Sequence, residues 1–306
     1  MFNVRILGTC SAIPAYGRLP SSQLITHNDK FFLIDCGEGT QFQLQKYRIR
    51  YNNLEVVLIS HLHGDHVLGL PGLLTTMSIL NREKPLIVIG PIGLRELVEK
   101  VLFLTESFVK YKLSFIEIEN EKSATVVYEN KHLTIWSFPL KHRITTYGYK
   151  IVEKPKKRKF LVHQAYALGV PKNYFSLIKA GNDYINEKGE KFSAELFLGE
   201  APPSYSYAYC SDTAFSPEIV NFIKNVHVLY HEATFLEEHT QNAEATYHST
   251  AAQAATIASL ACVQKLIIGH FSARYPILSQ HLIEAQNIFP HTELAKEGYL
   301  FDLELL

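Results

Sequence analysis

The stretch Ser60–Leu70 reads S-H-L-H-G-D-H-V-L-G-L and directly follows the apolar run Val56–Ile59. Within six positions it carries four metal-binding side chains, namely His61, His63, Asp65 and His66. Imidazole nitrogens and carboxylate oxygens are the ligands that zinc-type divalent cations prefer. Side chains alternate along a strand, so the first two histidines leave an extended strand end on the same side. A turn at Gly64 can direct the next two side chains to a second point, and one segment can therefore serve two adjacent metal positions.

A chance surface cluster of His and Asp is the alternative interpretation of this stretch. It is hard to reconcile with the apolar β run that the cluster closes, because a solvated face alone does not produce that arrangement. We therefore treat the stretch as the start of a metal site.

Composition and length are those of an ordinary globular protein, with 306 residues, 47% hydrophobic and 20% charged. Formal net charge is zero, so a nucleic-acid partner would have to be held by local patches. No apolar run of about 18 residues is present, and the N-terminus lacks the apolar core of a signal peptide, so we expect no membrane segment. The four cysteines form no CxxC pair, which favours reduced thiols in a cytoplasmic protein.

Short β-type runs alternate with helical patterns, which indicates an α/β layered fold. The first half predicts strands at Phe2–Leu7, Phe31–Ile34, Val56–Ile59 and Leu86–Ile89, and helices at Glu38–Lys46, His66–Leu80 and Leu94–Leu104. A more antiparallel group is predicted next, at Phe115–Ile118, Thr125–Tyr128, Leu133–Phe138 and Tyr147–Val152. The second half repeats the strand–helix rhythm at Tyr207–Ser211, Pro217–Lys224, Val226–Tyr230, Ala251–Ala261 and Leu266–Gly269.

One region, 153–203, breaks this rhythm because it is polar and irregular. We interpret it as an inserted arm that projects from a single domain spanning residues 1–306. It opens with five cations in six residues, namely Lys154, Lys156, Lys157, Arg158 and Lys159. Such a run is usually a solvated charge cluster. In a chain without net charge, however, it is also suited to phosphate contacts and to recognition of an RNA helix by shape, which is the interpretation we favour.

Three later residues follow the carboxyl ends of predicted strands, where α/β folds gather their sites. They are His142, Asp212 and His270. Each alone is better explained as structural, but together with the first cluster they complete two sites of about four donors each. The resulting assignment puts His61, His63 and His142 on one ion and Asp65, His66 and His270 on the other, with Asp212 bridging both.

This pattern of ligands resembles the metallo-β-lactamase superfamily over essentially the whole chain. More narrowly, several runs resemble the ribonuclease Z group of tRNA 3′-endonucleases. The runs are Leu7–Thr9 with Ile13-Pro14, Asp35–Gln41, Ser60–Gly72, Ser211–Thr213, His231–Phe235, His248–Ala251 and His270–Tyr275. The resemblance implies an αββα sandwich with a two-zinc site at one edge and no organic cofactor. Manganese or iron can occupy the same nitrogen and oxygen ligands.

The resemblance also implies an activity, namely removal of 3′ trailers from precursor tRNA by phosphodiester hydrolysis that leaves a 3′-hydroxyl on the tRNA. It implies that the arm grips the tRNA body, and that the protein is a homodimer in which one subunit's arm serves the other's metal site. The loop Ile13–Pro20 departs from the family pattern, since the usual basic residue and Arg-Asn pair are missing. Arg18 is the cation that can stand in for them.

Catalysis of this kind needs an activated water, charge neutralisation and a protonated leaving group. The metal pair, with Asp65 among its ligands, accounts for the first two, and His248 is the candidate proton donor. Glu232 is the candidate partner that holds the His248 tautomer. The structural alternatives are a helix-start histidine beside a capping Ser249 and an ordinary structural carboxylate.

Three further residues near these motifs have two interpretations each. Asp35 can fix a ligand histidine through a hydrogen bond, or simply serve a turn before Gly37. Arg274 and Tyr275 can contact the RNA 3′ end, or pack in the core.

Three other functions compete with the tRNA nuclease. A small-molecule metallohydrolase or phosphodiesterase of the same superfamily would use the same ligands without the arm. A DNA-directed nuclease would prefer DNA hairpins to RNA hairpins. A non-catalytic RNA-binding module would lack metal ligands, whereas all seven are present.

Overall fold

The computed structural model describes residues 1–119 and 122–305, which divide into two compact units. The first unit comprises Met1–Glu129, Thr134–Val152 and Tyr205–Leu306, and the second comprises Asn130–Leu133 and Glu153–Ser204. Among the described residues, no helix combines the length and the apolar character needed to cross a membrane.

Strands and helices alternate along the chain, as the sequence pattern predicts. The strands are β1 (Phe2–Gly8), β2 (Cys10–Ser11), β3 (Ser22–His27), β4 (Lys30–Ile34), β5 (Leu54–Leu58), β6 (Leu86–Pro91), β7 (Leu113–Ile118), β8 (Thr125–Glu129), β9 (Leu133–Leu140), β10 (Thr146–Glu153), β11 (Tyr184–Ile185), β12 (Lys191–Phe192), β13 (Ser206–Cys210), β14 (Val228–Glu232), β15 (Lys265–Gly269), β16 (Phe271–Ser272), β17 (Thr292–Leu294) and β18 (Leu300–Asp302). The α-helices are α1 (Thr40–Lys46), α2 (Gly64–Val67), α3 (Gly69–Ile79), α4 (Leu94–Leu104), α5 (Val162–Ala167), α6 (Phe175–Lys179), α7 (Val220–Ile223), α8 (Thr240–Thr246), α9 (Ala251–Leu260) and α10 (Ser279–Ile288). Short 3₁₀ turns lie at Tyr51–Asn53, Lys172–Tyr174, Ala194–Phe197, Pro217–Ile219, Glu237–His239 and Leu303–Leu305.

The first sheet has seven strands in the order β18-β1-β3-β4-β5-β6-β7. The strands β4 to β7 run parallel, whereas β18, β1, β3 and β4 pair antiparallel. The prediction that Phe115–Ile118 belongs to an antiparallel group is therefore wrong, because β7 pairs parallel with β6. The helix α4 carries the chain back across the sheet, and such a crossover makes the next strand parallel.

The second sheet also has seven strands, in the order β17-β15-β14-β13-β10-β9-β8. The strands β13, β14, β15 and β17 run parallel. The antiparallel prediction is confirmed for Thr125–Tyr128 and Leu133–Phe138, since β8 pairs antiparallel with β9. Tyr147–Val152 lies in β10, which pairs antiparallel with β13.

Buried tyrosines join the inner faces of the two sheets. Tyr149 donates to the carbonyl oxygen of Ile59 at 2.7 Å, and Tyr209 donates to Asp35 Oδ2 at 2.7 Å. Their rings fill apolar space while each hydroxyl finds an acceptor, as a buried phenol requires.

Helices cover the outer faces of both sheets and complete the αββα layers that the resemblance implies. Leu70, Leu74 and Met77 of α3 pack into one core with Val57 and Val88 of the first sheet. The buried alanines of α9, namely Ala251, Ala254, Ala255 and Ala258, pack into a second core with Leu229 and Ile268. Small side chains on α9 let the helix lie close to its sheet.

The second unit has a core of its own, although its sequence breaks the strand–helix rhythm of the rest of the chain. Its buried side chains are Phe160, Ala165, Val170, Ile178, Tyr184, Ala194 and Phe197. The helices α5 and α6 and the strand β11 supply Ala165, Ile178 and Tyr184. The 3₁₀ turn Ala194–Phe197 supplies its two end residues, and Phe160 and Val170 lie outside the helices and strands.

Candidate metal centre

Four donor atoms from distant parts of the first unit meet in one group. His63 Nδ1 lies 3.0 Å from His61 Nε2 and 3.4 Å from His142 Nε2. Asp212 Oδ2 lies 3.4 Å from His61 Nε2 and 3.9 Å from His142 Nε2. These four side chains form the first donor cluster.

A second donor cluster adjoins the first. His66 Nε2 lies 3.3 Å from His270 Nε2 and 3.4 Å from Asp65 Oδ2. Asp65 Oδ2 is 3.5 Å from His270 Nε2. Asp212 Oδ1 lies 3.3 Å from both histidine nitrogens. Asp212 therefore offers one carboxylate oxygen to each cluster.

The spacing of these donors fits two divalent cations. In a tetrahedral zinc site with metal–donor distances of about 2.0–2.1 Å, neighbouring donors are about 3.3–3.4 Å apart. The donor separations here run from 3.0 to 3.9 Å. Nitrogen and carboxylate oxygen are also the donor types that such cations prefer. The structure thus brings all seven side chains of the sequence-based assignment together, in the grouping that the assignment describes.

Strand ends explain this convergence. His61 and His63 follow β5, Asp212 follows β13, and His270 follows β15 directly, while His142 lies between β9 and β10. Carboxyl ends of parallel strands meet at one edge of a sheet, and the two sheets present their edges to each other.

The backbone segment that follows β4 packs closely against the helix α2 and the start of α3. Cys36 N donates to the carbonyl oxygen of His66 at 2.8 Å, and Gly69 N donates to that of Cys36 at 2.9 Å. A Cβ on Gly37 would lie 2.3 Å from the carbonyl oxygen of Asp65, and a Cβ on Gly69 would lie 2.2 Å from that of Gly37. Only glycine fits at these two positions, so both are needed to bring Asp35 next to the ligand histidines.

Asp35 occupies the position for a hydrogen bond to a ligand histidine. Its Oδ2 accepts from His66 Nδ1 at 2.8 Å and from Ser60 Oγ at 2.9 Å, and its Oδ1 accepts from Ser60 N at 2.7 Å. The carboxylate is fully buried. Such a partner fixes the ring orientation and raises the basicity of the ligand nitrogen.

Three other ligand histidines also direct their second ring nitrogen to an oxygen. His61 Nδ1 lies 3.0 Å from Ser60 Oγ, His142 Nδ1 lies 2.9 Å from the carbonyl oxygen of Tyr247, and His270 Nδ1 lies 3.0 Å from Thr234 Oγ1. Sequence reasoning did not assign these roles to Ser60, Thr234 or Tyr247. The motif H-E-A-T-F contains Thr234, but no spacing rule connects it to a ligand 36 positions away.

Four residues at the two clusters have a left-handed backbone conformation. Asp35, Tyr247 and His270 adopt positive φ values of 55°, 58° and 59°. Ala12, whose N–H donates to Asp65 Oδ2 at 2.8 Å, has a φ of 59°. Non-glycine residues persist in this region only where the surroundings enforce it, which is typical of functional sites.

His248 and Glu232 form a pair beside the clusters. His248 Nδ1 lies 2.9 Å from Glu232 Oε1, and the His248 ring is 5.2 Å and 5.5 Å from those of His142 and His270. Burial lowers the pKa of His248, but the Glu232 carboxylate outweighs burial and raises that pKa to about 9. This hydrogen bond leaves Nε2 as the nitrogen available to a bound molecule.

Glu232 is the centre of a buried network. Its Oε1 accepts from Thr213 N at 3.1 Å and Ser249 N at 3.0 Å, and its Oε2 accepts from Thr234 N at 2.9 Å. The capping residue of α9 is Thr250, which forms a capping box with Gln253, so the interpretation of Ser249 as the cap is wrong.

The two clusters open into a cavity of about 490 Å³. Asp65, His142, Asp212 and His248 line it, together with Arg143, an exposed cation that the sequence analysis missed. Its position directly after a ligand histidine was the available signal.

Two residues that the sequence offers as substrate contacts, Arg18 and Tyr275, are buried. Arg18 is only 8% exposed and donates from Nη2 to the carbonyl oxygen of Tyr275 at 2.7 Å, so it does not stand in for the missing basic residues. Tyr275 is buried, and its hydroxyl accepts from Leu236 N at 3.3 Å, which is the core-packing alternative. Arg274 is exposed and lies 5.6 Å from the centre of the Phe235 ring.

The cations of the second unit differ in their surroundings. Arg158 Nη1 donates to both carboxylate oxygens of Glu195 at 2.7 and 2.8 Å, and its Nε donates to the Gly199 carbonyl oxygen at 2.6 Å. These bonds give Arg158 a structural role within the unit. Lys156 lies 3.0 Å from Glu153.

The exposed side of this basic run carries Lys157 and Lys159. Lys154 is partly exposed, and its backbone N–H donates to the carbonyl oxygen of His132 at 2.8 Å.

The fold and the paired clusters define a metal-dependent hydrolase of the metallo-β-lactamase type. The metallo-β-lactamase fold protein YhfI from Bacillus subtilis superposes with a TM-score of 0.70 at 18% identity, covering 99% of this chain and 100% of that one. The short form of human tRNase Z superposes with a TM-score of 0.71 at 24% identity, covering 98% of this chain and 99% of that one. Both likenesses establish the fold.

Sequence similarity identifies the family within this class of metal-dependent hydrolases. A family model described as Anti-Pycsar protein Apyc1 matches residues 2–276. Ribonuclease Z of Bacteroides fragilis is 42% identical over 302 residues, covering 99% of each chain, and that of Parabacteroides distasonis is 41% identical over 297 residues, covering 97% of each. The chain belongs to the ribonuclease Z family.

Proposed function

We propose that this protein is a zinc-dependent endoribonuclease that removes 3′ trailers from precursor tRNA and leaves a 3′-hydroxyl on the tRNA. The observation that carries the proposal is the pair of adjoining donor clusters at an open cavity, with one carboxylate oxygen of Asp212 directed to each. We propose two Zn²⁺ per subunit, with manganese or iron as ions of compatible chemistry.

Two bound cations would neutralise phosphate oxygens and make a water molecule nucleophilic near neutral pH. Attack on phosphorus breaks the bond to the 3′ oxygen of the tRNA, and the phosphate leaves with the trailer. The departing 3′ oxygen needs a proton, and we assign its donation to His248 Nε2. Glu232 holds the His248 ring through Nδ1 at 2.9 Å and stabilises its protonated form.

The second unit is the proposed contact to the tRNA body. Lys157 and Lys159 are exposed there, and a cavity of about 620 Å³ is lined by Lys157 and Lys179 and by the Arg158–Glu195 ion pair. Closely spaced cations of this kind bind the phosphate backbone regardless of sequence.

An apolar surface on the first unit supports a homodimer, which we propose as the functional form. Its exposed side chains are Ile79 (70%), Leu80 (58%), Phe103 (80%), Leu104 (69%) and Phe108 (81%). Ser78 Oγ donates to the Phe108 carbonyl oxygen at 2.8 Å, which joins the end of α3 to the segment after α4. A contiguous apolar surface marks an interaction site. In sedimentation velocity, Phe103→Asp should convert a dimer to a monomer.

We further propose a cytoplasmic location. Cys10, Cys36 and Cys210 are buried free thiols, which are typical of a reducing compartment.

The test is incubation of the purified protein with a 3′-extended tRNA precursor, with and without chelator, followed by mapping of both product ends. We expect a 3′-hydroxyl on the tRNA, a 5′-phosphate on the trailer and no product with chelator. Asp65→Ala should abolish turnover while tRNA affinity is retained. Activity on small phosphodiesters without cleavage of the precursor would favour the small-molecule hydrolase instead, and equal cleavage of a DNA hairpin would favour a DNA nuclease.

Deletion of residues 153–203 separates the arm from the chemistry. We expect the deletion variant to lose precursor tRNA cleavage and to retain hydrolysis of bis(p-nitrophenyl) phosphate. Unchanged tRNA cleavage would contradict the role given to the second unit.

A further inference from the structure

We infer that Arg143 binds a backbone phosphate of the RNA that neighbours the phosphate being cleaved. The inference rests on the proposed function, and it assigns a substrate contact to a residue outside the metal ligands and the His248–Glu232 pair.

Arg143 is placed at the mouth of the metal centre. It follows His142 directly, is exposed and lines the same cavity as Asp65 and His248. Its Nη2 lies 2.9 Å from His63 Nε2. Within residues 1–119 and 122–305, His63 is the single hydrogen-bond partner of the Arg143 guanidinium group.

The contact with His63 cannot persist as a hydrogen bond once the first donor cluster holds a cation. His63 presents Nδ1 to that cluster, 3.0 Å from His61 Nε2. A neutral imidazole that gives the Nδ1 lone pair to a cation carries its hydrogen on Nε2. A guanidinium group has donors and no acceptor. Two donors would then face each other across the 2.9 Å contact.

The other ligand histidines differ from His63 in the partner of their second ring nitrogen. Each of them directs its second nitrogen to an oxygen, and His66 does so to the carboxylate of Asp35 at 2.8 Å. An oxygen accepts the N–H of a metal-bound imidazole and fixes the ring. Arg143 cannot do this for His63, so it is not built as a ligand-orienting residue.

A phosphate oxygen is the acceptor that suits this guanidinium group. The planar fork of arginine matches phosphate and binds it through two parallel hydrogen bonds. The His63 ring stands between the guanidinium group and the first cluster, since Arg143 contacts Nε2 while Nδ1 faces the other donors. For this reason the bound phosphate is assigned to the position next to the cleaved one along the strand.

Steady-state kinetics on precursor tRNA test the inference with Arg143→Ala and Arg143→Lys. One lost charge-assisted contact predicts that KM rises roughly ten- to a hundredfold for the alanine variant, with a much smaller fall in kcat. The lysine variant should fall between it and the wild type, because it keeps the charge and loses the fork. Hydrolysis of bis(p-nitrophenyl) phosphate, which has no neighbouring phosphate, should fall far less than tRNA cleavage.

Two measurements are independent of turnover. In an Asp65→Ala background, Arg143→Ala should weaken binding of labelled precursor and reduce the slope of log Kd against log salt by about 1. Elemental analysis should find the metal content of the Arg143 variants equal to that of the wild type. Arg50→Ala, which removes an exposed cation outside the cavity lining, is the matched control and should change neither quantity.

Three results would overturn the inference. A normal KM and an unchanged salt slope, with wild-type cleavage of the precursor, would refute it and leave the proposed function intact. Loss of metal would make Arg143 a positioning residue for His63. Equal losses on tRNA and on the small diester would put the contact at the cleaved phosphate. Failure of the wild type to cleave the precursor would instead refute the proposed function.

Discussion

Replacing Asp212 by Ala should weaken both metal positions at once. Asp212 Oδ2 lies 3.4 Å from His61 Nε2, and Oδ1 lies 3.3 Å from His66 Nε2. The side chain is therefore the shared donor, whereas His270 belongs to the second cluster and not to the first.

The magnitude follows from the number of donors. A structural zinc site of four donors binds with about 10–16 kcal/mol, so one donor contributes about 2.5–4 kcal/mol. Asp212→Ala should weaken each position about a hundred- to a thousandfold, whereas His270→Ala should weaken only one by that factor. Asp212→Asn keeps one carbonyl oxygen as a donor and should give an intermediate result.

The assay is competition for zinc against chromophoric chelators of graded strength, followed by elemental analysis of the dialysed proteins. Asp29→Ala, which removes an exposed carboxylate outside both clusters, is the matched control. Circular dichroism checks that each variant is folded. Two tightly held ions in Asp212→Ala, with affinities like those of the wild type, would refute the shared-donor geometry.

Three further predictions concern the metal, the proton donor and the response to pH. Chelation should abolish precursor cleavage and lower Tm, because a ligand at about 100 times its Kd stabilises the folded state by about 2.7 kcal/mol. If adding Zn²⁺ restored neither the cleavage nor the Tm, that result would argue against a metal-dependent enzyme. His248→Ala should lower kcat by about 10²–10⁴-fold while metal content is unchanged, and a near-normal kcat would remove His248 from the mechanism. Burial, aided by the charge of Arg18, lowers the pKa of His281 from 6.5 to about 4. The unfolded chain binds the proton first, so the free energy of unfolding should fall by up to about 3 kcal/mol as pH drops from 6.5 to 4. Urea unfolding of His281→Leu should depend less on pH over that interval, and an unchanged dependence would contradict this origin.

Local patterns were enough to predict much of the site. The apolar run before Ser60 indicates a strand end, and side-chain alternation brings His61 and His63 to one side. The later ligands His142, Asp212 and His270 could be proposed because each follows an apolar run. These are statements about residue types over a few positions, which the sequence contains in full.

Long-range pairing lay beyond such patterns. The partner of β7 depends on the direction in which α4 returns the chain, and the prediction for Phe115–Ile118 was wrong for that reason. Basic residues raised a similar difficulty, because Arg158 binds Gly199, 41 positions away, and Arg18 binds Tyr275, 257 positions away. A charge in a sequence does not reveal whether its partner is solvent, substrate or another part of the chain.

The sequence by itself determined the chemistry of the centre, that is, which side chains can hold cations and in what order they occur. Tertiary structure decided which of them meet, since His66 and His270 are 204 positions apart and come within 3.3 Å only when the two sheets pack together. It also decided what surrounds them: Asp35 for His66, Thr234 for His270 and a guanidinium group for His63. The physical reason is that ligand type is a property of one side chain, whereas a hydrogen-bond partner is a property of strand pairing and sheet packing across the whole first unit.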